Sequence, residues 1–182
     1  PLLEEAFRSL ADVADPARGI AWKLQLPDRL PWLNADAVRL RQTLLNLLSN
    51  ARKFTEHGSI TLGADVAPPY LHIWVADTGS GIPPQVLERI FDPFFTTREV
   101  GVGTGLGLSL VHGIVTDLGG GIDVDSRPGE GATFTVYLPW RDTVQAPETV
   151  QEEVTGGGGE TVLLVDDEEA LVRLGEERIA GL

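Results

Sequence analysis

Three polar side chains that could bind a metal or a phosphate lie four and three residues apart between positions 36 and 56. They are Asn46, Asn50 and Lys53. In a helix this spacing places them within about 60° of one another on one face. An amide oxygen is a hard, neutral ligand that suits Mg²⁺, and an ammonium group suits a phosphate. Taken alone, the cluster also fits an ordinary solvated helix face.

A second chemical signal follows a predicted strand, in the sequence Asp77-Thr-Gly79-Ser-Gly81. A carboxylate here can accept a hydrogen bond from an amino group such as adenine N6, whereas guanine O6 is itself an acceptor and would face it unfavourably. The glycines would let the backbone approach a flat ring closely. An ordinary turn has the same composition, so this segment alone leaves both interpretations open.

A third signal is a run of four glycines at alternate positions, directly before an apolar helical pattern. They are Gly101, Gly103, Gly105 and Gly107. The N–H groups and positive end of a helix suit phosphate. The run contains no Gly-Lys pair and no G-x-G-x-x-G spacing, so it is neither a P-loop nor a dinucleotide fingerprint. A flexible lid without a ligand is the alternative. Arg98, just upstream, could reach a terminal phosphate or lie at the surface.

The elements that must position these residues follow from periodicity. Apolar residues at helical spacing mark one side of the segment 36–56, and Phe91–Phe95 (FDPFF) is predicted to pack as a hinge and as part of the core. Helices are predicted over residues 2–14, 36–56, 83–90 and 105–118, and strands over 20–26, 59–66, 70–76, 122–126 and 132–138.

Composition limits the classes of function. The chain has 182 residues, no cysteine and a net charge of −13. The lack of cysteine excludes disulfides and thiolate metal sites, and the acidic charge balance disfavours non-specific binding to nucleic acid. Residues 1–141 have a net charge of −4 and residues 142–182 a net charge of −9. No apolar run approaches the roughly 20 residues of a membrane span, and the first residues of this sequence do not have the pattern expected of a signal peptide. A chain that begins at Pro1 and lacks methionine is interpreted as a fragment of a longer protein.

In this order and spacing, the motifs resemble the catalytic, ATP-binding domain of bacterial sensor histidine kinases, in the GHKL (Bergerat-fold) superfamily. LLNLLSNARKFT resembles the N box, DTGSGI the G1 box, FDPFF the F box and GVGTGLGLSL the G2 box, while GGGIDVDSRPGEGATFTVYLP resembles the closing strands. The resemblance covers residues 1–140. It implies an α/β two-layer sandwich, with a mixed sheet packed against helices and a mobile lid at about residues 92–104.

The resemblance also implies roles for single residues. Asn50 would coordinate a Mg²⁺ ion that bridges the triphosphate of ATP, and Asn46 and Lys53 would line the phosphates. Asp77 would bind adenine N6, and Gly79 and Gly81 would lie at the adenine base. The phosphates would be held at the helix start by Thr104, Gly105, Leu106 and Gly107, and Arg98 and Gly103 in the lid complete the expected ATP-binding set.

The tail carries a resemblance of its own. Residues 141–160 are acidic and rich in Pro and Gly, as expected of a linker. Residues 161–182 resemble the first strand, acidic pair and first helix of a response-regulator receiver domain. In that family the acidic pair, here Asp166 and Asp167, helps to bind Mg²⁺, although the run could also be a solvated acidic segment. The parent protein would then be a hybrid kinase.

The phosphoacceptor of the family is a histidine followed by an acidic residue, on a dimerising helical hairpin. His57, His72 and His112 are followed by Gly, Ile and Gly, so the acceptor and its neighbouring general base are expected outside this chain. The resemblance thus implies a cytoplasmic kinase domain that transfers the γ-phosphate of Mg-ATP to a separate histidine-containing dimerisation domain, with a receiver domain or response regulator as a further partner. No nucleic acid or membrane contact is expected from this segment, and any membrane anchor of the parent would lie upstream.

Two alternatives remain open at this point. One is an ATPase of the same superfamily, which would need a hydrolytic base, commonly a glutamate on the N-box helix. There is no acidic residue between Val38 and Thr55 to serve as one. The other is a degenerate nucleotide-binding or interaction module without transfer activity, against which Asn50, Asp77 and the glycine run argue.

Overall fold

A computed structural model of the chain describes residues 1–12, 19–33, 35–97 and 104–140. Within them, the helices and strands predicted from periodicity form close to the expected positions. The elements are α1 (Leu2–Ala11), β1 (Ile20–Gln25), α2 (Ala37–Phe54), β2 (Gly58–Ala67), β3 (Tyr70–Asp77), α3 (Pro84–Leu87), α4 (Gly107–Asp117), β4 (Gly121–Arg127) and β5 (Gly131–Pro139). The largest differences from the predicted positions are at two helix ends. Helix α3 ends at Leu87 and not at residue 90, and α1 ends at Ala11 and not at residue 14.

The sheet is mixed and has the strand order β1-β2-β3-β5-β4. β1 runs parallel to β2, and all other neighbouring pairs are antiparallel. Alternate residues of the central strands are buried against the helices, for example Ile73 and Val75 on β3 and Phe134 and Val136 on β5. This period of two is what a sheet with one covered face requires. The predicted two-layer α/β sandwich is confirmed.

Helix α2 is the centre of the helical layer and lies between α1 and α4. Its start is fixed by Asp36, whose carboxylate accepts hydrogen bonds from the backbone N–H groups of Val38 (2.8 Å) and Arg39 (3.2 Å). Such an N-cap stabilises a helix by about 1 kcal/mol. The apolar stripe predicted from the sequence is buried, and burial of each large aliphatic side chain contributes about 1.5–3 kcal/mol. Its buried members are Leu40, Leu44, Leu47, Leu48 and Ala51.

The opposite face of the sheet carries polar and aromatic side chains. His72 packs edge-on against Tyr137 at 4.8 Å between ring centroids, and its Nδ1 lies 3.2 Å from a carboxylate oxygen of Asp65. Trp74 lies across Gly63, where a Cβ atom would overlap the indole ring. His72 therefore packs on the sheet face that the helices leave open. Among the described residues, no helix is long and apolar enough to cross a membrane.

Candidate functional site

A cavity of about 560 Å³ lies between α2, the segment that follows β3, and the start of α4. Its polar wall contains Asn46, Asn50, Lys53, Asp77 and Thr104, so the three chemical signals of the sequence converge on one space. The rest of the wall is largely apolar. Those apolar residues are Ala51, Phe54, Ile82, Pro83, Val86, Ile90, Phe95, Leu108, Ala132 and Phe134. A concave, mainly apolar site with a few convergent polar groups is typical of small-molecule binding.

Asp77, the last residue of β3, supplies the carboxylate of this cavity. It accepts a hydrogen bond from the backbone N–H of Gly79 at 2.8 Å. Burial raises the pKa of Asp77 above its usual value of 3.8, and the backbone N–H groups of Gly79 and Ala132 oppose that rise. Desolvation is the larger effect. The result is a partly dehydrated acceptor held in a fixed orientation, suited to a neutral amino group.

Main-chain hydrogen bonds fasten the segment after Asp77 on two sides. The N–H of Ser80 donates to the carbonyl of Phe54 at the end of α2 (3.2 Å), and the carbonyl of Ser80 accepts from the N–H of Gly129 (2.7 Å). Ser80 is therefore held between helix α2 and the β4–β5 turn. The position of the carboxylate depends on contacts from two distant parts of the chain.

The glycines of this segment lie against the backbone of neighbouring elements. A Cβ at Gly79 would overlap the carbonyl oxygen of Phe54, and a Cβ at Gly81 would overlap that of Arg127. Gly81 also has φ +67°, where side chains are strained. These glycines let one stretch of backbone pack closely on another. Gly81 also lines the cavity, whereas Gly79 is not among its lining residues.

The α2 side of the cavity contains an unsatisfied donor. The side-chain nitrogen of Asn46 is buried and has no hydrogen-bond partner in the described part of the chain. Leaving a buried polar group unpaired costs about 1–3 kcal/mol, so this amide is not part of an ordinary solvated face. Asn50 is half-buried and Lys53 is exposed, and both line the same cavity. Donors and amide oxygens of this kind suit phosphate oxygens and a hard cation.

Helix α4 begins beside Asn46. Its first residue is Gly107, where a Cβ would lie 3.8 Å from the Asn46 side-chain oxygen, and no side chain among the described residues caps its N-terminus. Thr104 precedes it and accepts a 3.4 Å hydrogen bond from the N–H of Leu106. Thr104, Gly105 and Gly107 line the cavity. An uncapped helix N-terminus leaves N–H groups available for an anion.

Four predicted site residues lie outside the described residues: Arg98, Gly103, Asp166 and Asp167. Residues 98–103 of the predicted lid lie outside them too. Leu106, expected at the phosphates, lines a neighbouring groove instead of the cavity and is 42% exposed. Its backbone N–H, bonded to Thr104, stays at the start of α4.

This neighbouring groove has a volume of about 610 Å³ and lies between α2, α4 and the FDPFF turn. Its exposed apolar residues are Phe94, Leu106 and Leu110, and an ion pair of Arg39 with Asp117 (2.9 Å) lies on its wall. The sequence predicted a packed Phe94, but this side chain is 75% exposed and its φ is +65°. A bulky residue in that conformation is strained, which is typical of functional positions.

The FDPFF turn is joined to the start of α4 by the main chain. The N–H of Phe94 donates to the carbonyl of Gly105 at 3.0 Å. Gly105 has φ +65°, and a Cβ there would overlap the backbone of Phe94. Phe95 lines the cavity and Phe91 is half-buried beside His112, at 5.4 Å between ring centroids. Only these two aromatics therefore pack as the sequence predicts, and the turn forms a wall common to cavity and groove.

The sequence interpretation missed the apolar wall contributed by α3 and β5. Val86 and Ile90 come from α3 and the turn after it, while Ala132 and Phe134 come from β5. Strict alternation in β5 was a usable signal, because it shows which residues point toward the helices. That Ala132 and Phe134 lie beside Asp77 follows only from the antiparallel pairing of β3 with β5.

Comparison with known proteins assigns this fold and cavity to a family. The profile described as "Histidine kinase-, DNA gyrase B-, and HSP90-like ATPase" matches residues 35–142, which is more than half of the chain. The chain belongs to this family. The match includes α2, the cavity and the four strands β2 to β5.

Its relatives within the family are sensor histidine kinases. Sensor kinase CckA of Brucella abortus (strain 2308) is 47% identical over 123 residues, covering 59% of this chain and 13% of that protein. Sensor histidine kinase ZraS of Escherichia coli (strain K12) is 43% identical over 133 residues, covering 72% of this chain and 28% of that protein. The chain thus spans only a small part of the full-length relatives it matches.

Solved structures of histidine kinases match the fold of this domain. The catalytic domain of histidine kinase ThkA, in a nucleotide-free form, matches with a TM-score of 0.67 and 31% identity, covering 76% of this chain and 90% of that one. Full-length ShkA in complex with AMPPNP matches with a TM-score of 0.68 and 37% identity, covering 76% of this chain and 29% of that one. The described domain is therefore a catalytic domain of the histidine kinase type.

Proposed function

We propose that this domain binds Mg-ATP and transfers its γ-phosphate to a histidine on a separate phosphoacceptor domain in two-component signalling. The observation that carries the proposal is the convergence of Asp77, the Asn46–Lys53 face of α2 and the start of α4 on one cavity. The chain's membership of the family and the AMPPNP complex of its structural neighbour ShkA support ATP as the substrate.

The adenine would bind between the apolar walls of the cavity, with its amino group donating to Asp77. Ile82 and Phe134 supply branched and flat apolar surface in the same cavity as that carboxylate. A fixed, dehydrated acceptor favours a donor at this position and disfavours the carbonyl oxygen of guanine. Base selectivity is thus assigned to one carboxylate, Asp77.

The triphosphate would extend toward α2 and the start of α4. The buried amide nitrogen of Asn46 would donate to a phosphate oxygen, and the Lys53 ammonium would offset its charge. The uncapped N-terminus of α4 supplies further N–H donors. The residues fit a metal as well: Mg²⁺, held through the side-chain oxygen of Asn50 and by phosphate oxygens, would neutralise charge on the transferred group.

The acceptor histidine must come from another domain, because no histidine lines the cavity in the described part of the chain. His72 is on the open face of the sheet, and His112 contacts Phe91. We assign the groove beside the cavity to the incoming helical hairpin. Its exposed Phe94, Leu106 and Leu110 form an apolar surface next to the helix start where the phosphates would lie.

Hydrolysis is less well supported than transfer. Asp77 is the only acidic residue among the described residues that line the cavity, and in this proposal it binds the adenine amino group instead of activating water. Helix α2 contains no acidic residue that could activate water. Catalysis would then depend on positioning and charge neutralisation, which is the usual pattern for phosphoryl transfer.

On the sequence pattern alone, we also propose that residues 141–160 are a linker, and that residues 161–182 begin a receiver domain in which Asp166 and Asp167 bind Mg²⁺. Such a protein would be a hybrid kinase acting in the cytoplasm. The coding sequence after Leu182 tests this, since a receiver domain requires a phosphoacceptor aspartate at the end of a later strand.

The transfer proposal is tested with radiolabelled ATP and the separate phosphoacceptor hairpin of the parent kinase. We expect no acid-labile label on this chain alone, and label on the hairpin when both are present. A hairpin without its histidine is the control. Robust self-labelling that disappears on mutation of His57, His72 or His112 would contradict the proposal, and phosphate release at the same rate with and without hairpin would favour an ATPase.

The docking role of the groove is tested in the same assay with Phe94→Asn. Asparagine tolerates the positive φ but removes the apolar ring. We expect weaker transfer to the hairpin and unchanged ATP affinity. Val38→Asn is the matched control, because Val38 is 74% exposed and does not line the groove. Equal transfer by both variants would remove the groove from the proposal.

A further inference from the structure

Ser126 lies on the edge strand β4 and is not among the residues that line the cavity, yet it is bonded to the segment that carries Asp77. Its half-buried hydroxyl accepts a hydrogen bond from the backbone N–H of Ile82 at 2.9 Å. The same hydroxyl donates to the carbonyl of Gly131 at 2.6 Å. One side chain therefore connects the end of the Asp77–Ile82 segment to the first residue of β5.

Both ends of this connection lie beside the part of the cavity proposed to bind adenine. Ile82 lines the cavity directly. Gly131 packs on the backbone of Asp77, since a Cβ there would overlap the Asp77 carbonyl oxygen. The next residue, Ala132, donates its N–H to the Asp77 carboxylate and also lines the cavity. A shift of the Gly131 carbonyl would therefore move both the carboxylate's donor and the cavity wall.

The other bonds that hold this segment do not involve Ser126, and one of them is a hydrogen bond from the N–H of Ser59 to the hydroxyl of Thr78 at 2.9 Å. Ser80 is bonded through its N–H and its carbonyl to Phe54 and Gly129. Thr78 donates its N–H to the carbonyl of Ser59 at 3.1 Å. Loss of the Ser126 hydroxyl would leave these bonds in place and release the N–H of Ile82 and the carbonyl of Gly131. Removal of this hydroxyl should therefore alter the geometry of the site without unfolding the segment.

We propose that Ser126 is a positioning residue for base recognition, which sets the orientation of the Asp77 carboxylate and of Ile82 from outside the cavity. This inference rests on the proposed binding of ATP. It predicts that Ser126 determines how well the site distinguishes adenine from a purine that lacks the amino group, and that it has little influence on the phosphates.

The test is calorimetric binding of ATP, ITP and inorganic tripolyphosphate by Ser126→Ala. ITP has a carbonyl oxygen where ATP has the amino group. Loss of one neutral hydrogen bond corresponds to roughly a two- to tenfold change in affinity. We expect the ATP affinity to fall within this range, the ATP-to-ITP affinity ratio to fall by a similar factor, and tripolyphosphate binding to stay unchanged.

Two controls separate positioning from general stability. Ser9→Ala removes a comparable bond in α1, where the hydroxyl of Ser9 donates to the carbonyl of Ala6 at 2.7 Å, and should leave the ratio unchanged. Ser126→Thr keeps the hydroxyl and should have the same ATP-to-ITP affinity ratio as the unmutated protein. If Ser126→Ala does not fold, Ser126→Thr is compared with Ser126→Val, which has a nearly identical shape without the hydroxyl.

Asp77→Asn separates failure of this inference from failure of the proposed function. If Asp77→Asn removes the discrimination and Ser126→Ala preserves it, the positioning role is wrong and the function stands. If Asp77→Asn preserves the discrimination, the assignment of Asp77 to the base is wrong. An unchanged ratio in a folded Ser126→Ala protein overturns the inference in either case.

Discussion

The two ends of the cavity differ in how their polar groups are satisfied. At the Asp77 end the protein supplies the partners, because the carboxylate accepts from Gly79 and Ala132 and the segment after it is bonded to neighbouring elements. At the α2–α4 end, the amide nitrogen of Asn46 is buried without a partner in the described chain, and α4 starts without a side-chain cap. The first end is complete in the unliganded fold, and we expect a ligand to supply the missing partners at the second.

This difference implies different consequences for mutations. Changes at the Asp77 end should disturb the fold and the affinity together, since the same bonds serve both. Changes at the α2–α4 end should reduce affinity and leave the stability of the unliganded protein unchanged or improved. A buried donor that stays unpaired until a ligand binds lowers the stability of the unliganded protein. The following mutations test this difference between the two ends.

The largest effect is expected from Gly131→Ala. Gly131 has φ +85°, and its Cβ would overlap the Asp77 backbone, so we expect a loss of about 3 kcal/mol or more together with loss of ATP binding. Gly129→Ala is the matched control, because Gly129 has φ +81° and nothing within 4 Å of its Cβ position. It should lose only about 1–2 kcal/mol. Equal losses in urea unfolding would show that the close backbone packing is unimportant.

Asp77→Asn should have the next largest effect on ligand binding. Loss of a charge-assisted hydrogen bond costs about 1.5–3 kcal/mol, so ATP affinity should fall by roughly ten- to a hundredfold or more, while GTP should not be weakened to the same degree. Calorimetry with both nucleotides measures the change. If the unmutated protein binds ATP and GTP equally well, Asp77 does not select adenine over guanine.

The same variant tests the pKa of Asp77. Because burial raises this pKa, the folded chain retains the proton above pH 3.8, where the unfolded chain releases it. This group therefore lowers the stability of the unmutated chain as pH rises from about 3.8 through the raised pKa. Asp77→Asn should lack this decline, so its stability relative to the unmutated chain should increase with pH in that window. Parallel pH profiles in chemical unfolding would contradict the desolvation argument.

Asn50→Asp should have a moderate effect that depends on Mg²⁺. The substitution adds a negative charge beside the expected triphosphate and changes the ligand set, so Mg-ATP affinity should fall by about tenfold. Asn46→Ala should weaken Mg-ATP less and should make the unliganded protein no less stable, since it removes an unpaired buried donor. ATP titrations with and without Mg²⁺, together with thermal unfolding, provide both readouts. An Asn50→Asp protein that binds Mg-ATP normally would show that Asn50 is not a metal ligand.

The smallest effect is expected from Gly107→Ala. Gly107 has an ordinary helical conformation and room for a methyl group 3.8 Å from Asn46, so the unliganded fold should gain up to about 1 kcal/mol. The methyl group would occupy space beside the phosphates, and ATP affinity should fall several-fold. Gly113→Ala, also in α4 with nothing within 4 Å, should give a similar gain in stability without the loss of affinity. If both variants bind ATP normally, the α4 start does not approach the phosphates.

The sequence determined the elements and most of the polar wall. A leucine stripe at helical spacing predicted α2, alternation predicted the central strands, and the spacing of Asn46, Asn50 and Lys53 correctly placed them on one face. These are local properties, because helical and strand periods depend only on neighbours along the chain. The order of the motifs was enough to indicate the family that the comparisons confirm.

The tertiary structure alone decided how the site is held. The sequence predicted a packed Phe94, yet the hydrogen bond from Phe94 to Gly105 holds that residue in a strained conformation and leaves its side chain exposed. The contact of Gly131 with Asp77 and the bond of Ser126 to Ile82 join positions more than 40 residues apart. Such contacts depend on which strands become neighbours and in what register. That outcome is set by burial summed over the whole core, and no local pattern of residues encodes it.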